Sequence, residues 1–133
     1  MNVQCWGIIK KRKKLKKQFA KQMQEKDKDG FTAVHWACRK GYLEMVKFLL
    51  SYEQDINAKS TYGYTPLHLA TWSGNLEIVK LLVSKGANLN DETMEGDTSF
   101  EIAKHNLFDN IVNFLKSKGG KSKQKKLSSS IKS

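Results

Sequence analysis

Gly30, Gly63 and Gly96 stand 33 residues apart, and the text around them realigns without a gap: "DGFTAVHWACRKGYLEMVKFLL", "YGYTPLHLATWSGNLEIVKLLV" and "EGDTSFEIAKHNLFDNIVNFLK". A fixed period of this size constrains the fold more than any other feature of the chain. One such unit cannot bury its own apolar face and has to stack on its neighbours. Within each unit Thr32, Thr65 and Thr98 open a short apolar segment, and Ala37, Ala70 and Ala103 follow five residues later. A second apolar run comes after a further eight, so each unit reads as helix, turn, helix.

The residues at the joints suit that reading. The Thr65 hydroxyl can accept a bond from an N–H of the first helical turn, and Pro66 fits the first helical position because the N–H it lacks would be unpaired there. Gly41 and Gly74 fall where the first helix has to stop, in the left-handed conformation that glycine adopts cheaply. In the second helix Leu76, Ile78, Val79, Leu81 and Leu82 are too apolar to face water on every side. They are assigned to the core together with their counterparts Leu43, Met45, Val46, Phe48, Leu49 and Leu50. Trp36 fills a slot held by Leu69 in the next unit and is assigned to the core as well. The expectation is an all-α chain, helical in pairs from about Thr32 to Lys116, with little sheet.

"TPLHLA" at residues 65–70, "TAVHWA" at 32–37 and "TSFEIA" at 98–103 hold one register, although the last keeps only Thr and Ala. On these motifs the chain resembles the ankyrin-repeat family over about Asp27 to Lys118, with units 27–59, 60–92 and a worn 93–118. The resemblance implies a solenoid of stacked helix–turn–helix units joined by loops and β-turns, used to bind another protein. It gives His35 and His68, three residues after Thr32 and Thr65, a place in the hydrogen-bond scaffold that ties one unit to the next. Glu101 stands in the third slot. It also implies that contacts come from the loop leading into each glycine and from the outward end of the inner helix. Phe31, Arg39, Lys40, Tyr62, Tyr64, Trp72, Met94 and Asp97 are the partner-binding candidates at those positions. Tyr, Trp and Arg dominate binding hot spots because they bury much surface at small entropic cost. For Phe31, Tyr62 and Tyr64 the competing reading is packing of loop against loop, whereas at Trp72 a polar residue would satisfy the fold.

Charge divides the chain differently. Residues 1–26 hold nine Lys/Arg and one Glu, residues 27–116 hold nine Lys/Arg against twelve Asp/Glu, and residues 117–133 hold six Lys and no acid. The repeats are mildly acidic between strongly basic tails. Residues 1–26 read as a basic helix in which Leu15, Phe19 and Met23 form a narrow apolar stripe able to cap the first repeat. Lys10, Lys11, Arg12, Lys13, Lys14, Lys16 and Lys17 make a basic block. It fits a nuclear-import or nucleic-acid patch, an anionic membrane surface, or a solvated face. Residues 119–133, rich in Ser and Lys and without periodicity, are expected to be disordered.

No chemistry is expected. No acid or nucleophile recurs near the histidines at a spacing that serves general-base catalysis, and His105 reads as a surface residue. The two cysteines and three histidines have no local chelating spacing, so neither a metal nor a cofactor is implied. Cys38 takes a small-residue slot and reads as a buried thiol, with no disulfide to Cys5. No apolar stretch approaches the roughly 20 residues of a membrane span, and the opening residues have the wrong order for a secretory signal. The expectation is a monomeric, non-catalytic interaction module of the cytoplasm or nucleus with a protein partner, or one that binds polyanions through its tails.

Overall fold

The computed structural model describes residues 14, 17, 18, 21–52 and 55–121. The expected pairs are present: α1 (Ala33–Lys40) with α2 (Leu43–Leu50), α3 (Pro66–Ser73) with α4 (Leu76–Ser84), and α5 (Ser99–His105) with α6 (Asp109–Ser117). Residues 14, 17, 18 and 21–23 are also helical, and no strand occurs among the described residues. Thr32, Thr65 and Thr98 are the N-caps of α1, α3 and α5, and the Thr65 and Thr98 side chains accept from the N–H groups of His68 and Glu101. Gly41 and Gly74 end α1 and α3 in the left-handed conformation, with φ of 76° and 74°. Asn75 then starts α4 by accepting from the Ile78 N–H.

The inner helices α1, α3 and α5 pack side by side, while the outer helices α2, α4 and α6 touch one another far less. Ala37, Cys38, Ala70, Thr71 and Ala103 are buried on the inner helices, and their small size permits that close approach. Between the layers lie Val46, Leu49, Leu67, Ile78, Val79, Leu82, Ile111 and Leu115, all buried. Each such side chain stabilises the fold by about 1.5–3 kcal/mol.

Three expected core residues are not in the core. Trp36 is 39% exposed, and Met45 and Phe48 are about half exposed. The counterparts of Trp36 one and two units on, Leu69 and Ile102, are buried, as are those of Met45, Ile78 and Ile111. The counterparts of Phe48, Leu81 and Phe114, are partly buried. These positions face the preceding unit, and no inner helix precedes α1 among the described residues. Trp36 instead donates its ring N–H to Asp27 Oδ2 at 2.9 Å, meets the Phe31 ring edge-on, and carries the Arg39 guanidinium 5.5 Å from its centroid. Of the proposed capping stripe, Met23 is partly buried against the core, while Leu15 and Phe19 lie outside the described residues.

Each unit is entered through a tight loop closed by its own backbone. The N–H of Asp27, Ser60 and Thr93 donates to the carbonyl of Phe31, Tyr64 and Asp97, and the N–H of Gly30, Gly63 and Gly96 donates back to Asp27, Ser60 and Thr93. Neighbouring loops are joined at their tips, Thr61 N–H to Asp29 O and Met94 N–H to Tyr62 O, both at 3.0 Å. A Cβ at Gly30 would stand 2.6 Å from the Thr61 nitrogen, so glycine is required where the first two loops meet.

Candidate functional site

The histidines occupy the joints between units. His35 Nδ1 accepts the Thr32 N–H at 3.0 Å, with the Thr32 hydroxyl 2.9 Å from the same nitrogen. The imidazole proton therefore sits on Nε2, which donates to Ala58 O at the end of its own unit and to Tyr64 O of the next, each at 2.9 Å. His68 repeats the arrangement, accepting from the Thr65 N–H at 2.9 Å and donating to Asp91 O at 2.9 Å. Both rings are fully buried. Burial lowers both pKa values below the ordinary imidazole range by disfavouring the cation, partly opposed by the carbonyls that accept from the ring. With each nitrogen engaged in the scaffold, neither ring presents a free base to solvent.

Cys38 is buried, and burial alone pushes its thiol up to about 12, far from a reactive thiolate. Among the described residues no group of three His, Cys, Asp or Glu side chains is placed to hold a metal ion. Among the same residues no helix is long and apolar enough to cross a membrane. His105 is exposed at the end of α5.

The binding candidates converge in two hollows on one side of the stack. The first, about 350 Å³, lies between the first two units and is lined by Phe31, Arg39, Tyr64, Leu69, Trp72 and Ser73. The second, about 470 Å³, lies between the second and third loops and is lined by Tyr62, Tyr64, Thr93, Met94 and Glu95. Tyr64 lines both, so the two hollows adjoin at that side chain and are taken together as the Tyr64 groove. Trp72 and Tyr62 are 53% and 54% exposed, so large aromatic faces stand open to a partner. Of the remaining candidates, Lys40 is exposed in the last turn of α1, outside both hollows, and Asp97 is partly buried with its backbone tied to Thr93.

Three residues that shape this surface escaped the sequence reading. Asp27 Oδ1 accepts from the N–H groups of Asp29 and Phe31, Ser60 Oγ from that of Tyr64, and Thr93 Oγ1 from those of Glu95 and Asp97. These side chains fix the loops that carry Phe31, Tyr64 and Glu95. The signal was present: an Asp, Ser or Thr three residues before each repeat glycine, the residue types whose oxygens bond to nearby backbone.

A family model described as ankyrin repeats, in three copies, matches residues 8–93 and 59–126. No curated protein matches the chain closely enough to be counted as a relative.

Proposed function

The chain belongs to the ankyrin-repeat family, whose repeats are generally protein–protein interaction modules, and from that premise we propose that it is a non-catalytic adaptor whose partner lies along the Tyr64 groove. The observation that carries this reading is the convergence of Phe31, Tyr64 and Trp72 from two units on one open hollow. Phe31 and Tyr64 are partly buried, their rings edge-on to His35 and His68, and offer a partner the face that remains. Trp72 in particular leaves more than half of its side chain open to solvent. The repeat domain spans residues 27–118 between a basic N-terminal segment and a basic tail, and the protein works as a monomer in the cytoplasm or nucleus.

Affinity capture with the wild-type chain and with Trp72→Ala and Tyr64→Ala tests the proposal. Each substitution is expected to weaken partner binding by about 1–2 kcal/mol, as truncation of an aromatic hot spot does. Trp72→Ala should leave thermal stability within about 0.5 kcal/mol, as expected for an exposed side chain. Unchanged capture with both variants would remove the groove from the function.

A second reading draws on Lys14, Lys17 and Lys21, each exposed and each helical, which recur at i, i+3 and i+7. A basic face of this kind suits a polyanion, with the repeats as a rigid spacer. Binding to a nucleic acid would then fall steeply with added salt through counterion release, whereas capture through the aromatic groove would not.

A further inference from the structure

The groove has opposite charges at its two ends. In the first hollow the cation is Arg39, whose guanidinium rests beside the Trp36 ring and meets no carboxylate among the described residues. In the second the charge is the carboxylate of Glu95, on a loop (residues 91–97) that carries Asp91, Glu92, Glu95 and Asp97 and no base. Asp91 faces Lys59 at 3.9 Å, but Glu95 has no ion-pair partner among the described residues. The hydroxyl of Tyr64, which lines both hollows, has a raised pKa, first through burial and then through the negative charge of Glu95 and Asp97. The acidic field therefore reaches the shared wall of the groove.

A ligand complementary to this surface is constrained in three ways. Each hollow offers apolar walls and takes one apolar side chain. The hollows share Tyr64 as a lining residue, and side chains i and i+2 of an extended chain, which lie on one face roughly 6.6 Å apart, are suited to entering one hollow each. The charged groups sit at opposite ends, so an acid is matched at the Arg39 end and a base at the Glu95 end. A nucleic acid fits poorly, because its phosphates would meet the acidic third loop. Complementary charges of this kind set direction and choice of partner more than affinity.

Resting on the binding role proposed above, we propose that the groove takes an extended segment of a partner protein with a polarised pattern: an acidic residue at the Arg39 end, two apolar side chains straddling Tyr64, and a basic residue at the Glu95 end. Panning a display library of linear peptides on the whole wild-type chain, on Arg39→Glu and on Glu95→Lys tests this directly. Wild type should select an acid at one end, apolar residues at alternate positions and a base at the other. Arg39→Glu should exchange the selected acid for a base, and Glu95→Lys the selected base for an acid. A synthetic wild-type selectant should lose about tenfold in affinity for either variant, and a charge-reversed peptide should bind best to the double variant.

Peptides without charge polarity, polarity indifferent to both substitutions, or no selection at all would overturn the inference. A synthetic peptide of residues 122–133 that displaces the selectants at equal concentration would also overturn it, in favour of the chain's own tail as occupant. If Trp72→Ala abolishes capture of a protein partner while neither charge substitution alters selection, the binding role stands and only its polarity is wrong. If none of the three substitutions has an effect, both readings fall.

Discussion

Where the first unit meets the second, a buried imidazole reaches onto the next loop; at the end of the third unit the capping threonine's hydroxyl reaches forward instead, to a residue three positions earlier in the register. His35 spans 23 residues to Ala58 and His68 spans 23 to Asp91, while Thr98 Oγ1 donates to Lys121 O, again 23 residues on, at 2.8 Å. Lys121 also donates its N–H to Asn90 Oδ1, as Asn88 does to Asn57 Oδ1 one unit earlier. The buried Gly120 N–H closes on Leu115 O. The chain's own backbone thus finishes the third unit. The first unit, by contrast, has the equipment of an interior one: His35, Gly41, and the half-exposed Trp36, Met45 and Phe48 on the face where later units pack against a neighbour. Buried histidines hold the first two joints of this stack, and the third unit, which lacks one, is expected to open first.

Removing a histidine is the strongest way to break that comparison. His68→Ala leaves the Thr65 N–H and the Asp91 carbonyl without a protein partner and should cost about 1–3 kcal/mol, read as a lower midpoint in chemical denaturation. His35→Ala should fall in the same range, because Ala58 O loses its donor while Tyr64 O keeps the Ser60 N–H. A cost no greater than that of removing the Thr98 hydroxyl would show that the joints are equivalent after all.

Acid tests the same joints without mutation. Both histidines have folded-state pKa values below the ordinary 6.5. As pH falls through about 6.5 the unfolded chain therefore takes up protons that the folded chain refuses, and stability declines. Above that pH both states are neutral and this contribution is fully present. Protonated Nδ1 would also face the N–H it now accepts, so the bond inside each joint is lost with the charge. Denaturation midpoints measured on either side of pH 6.5 should fall on the acid side, and His68→Ala should flatten the slope.

How much of this was legible in the sequence depended on what each residue's environment consists of. Caps, stops and the helix pairs are local, and Thr65, Pro66 and Gly74 announce them within a few residues. Trp36 misled because its slot is buried by the unit before it, and nothing inside a repeat tells whether that neighbour is an inner helix. The groove was half legible. Repeat register marks Phe31, Tyr64 and Trp72 as free positions, but their convergence over Leu69 needs the packing of α1 against α3, which register alone does not supply.

A smaller effect is expected at the end of the third unit. Thr98→Ala removes both the cap of α5 and the bond to Lys121 O, and helix caps of this type are typically worth about 1 kcal/mol. The loss should be local: amide exchange should speed up over α5, α6 and residues 119–121 while the first two units keep their protection. Faster exchange across the whole stack would mean that the units open together and that the contrast between ends has no energetic meaning.

The last and smallest effect has the opposite sign. Leu107 stands where the first two units have Gly41 and Gly74, and it takes the same left-handed backbone at φ 59° with its side chain 81% exposed. For an L-residue that conformation costs roughly 1–2 kcal/mol, and the exposed leucine has little burial to set against it. Glycine would relieve the strain but adds disorder to the unfolded chain, a counter-effect of about 0.5–1 kcal/mol. Leu107→Gly should therefore stabilise the protein by about 0.5–1 kcal/mol and slow amide exchange in the third unit first. The reverse change in the second unit should do harm, since even a Cβ at Gly74 would come within 2.8 Å of the Phe108 ring. If Leu107→Gly destabilises, the leucine makes a contact in solution that offsets its strain, and the third unit is not the weaker end.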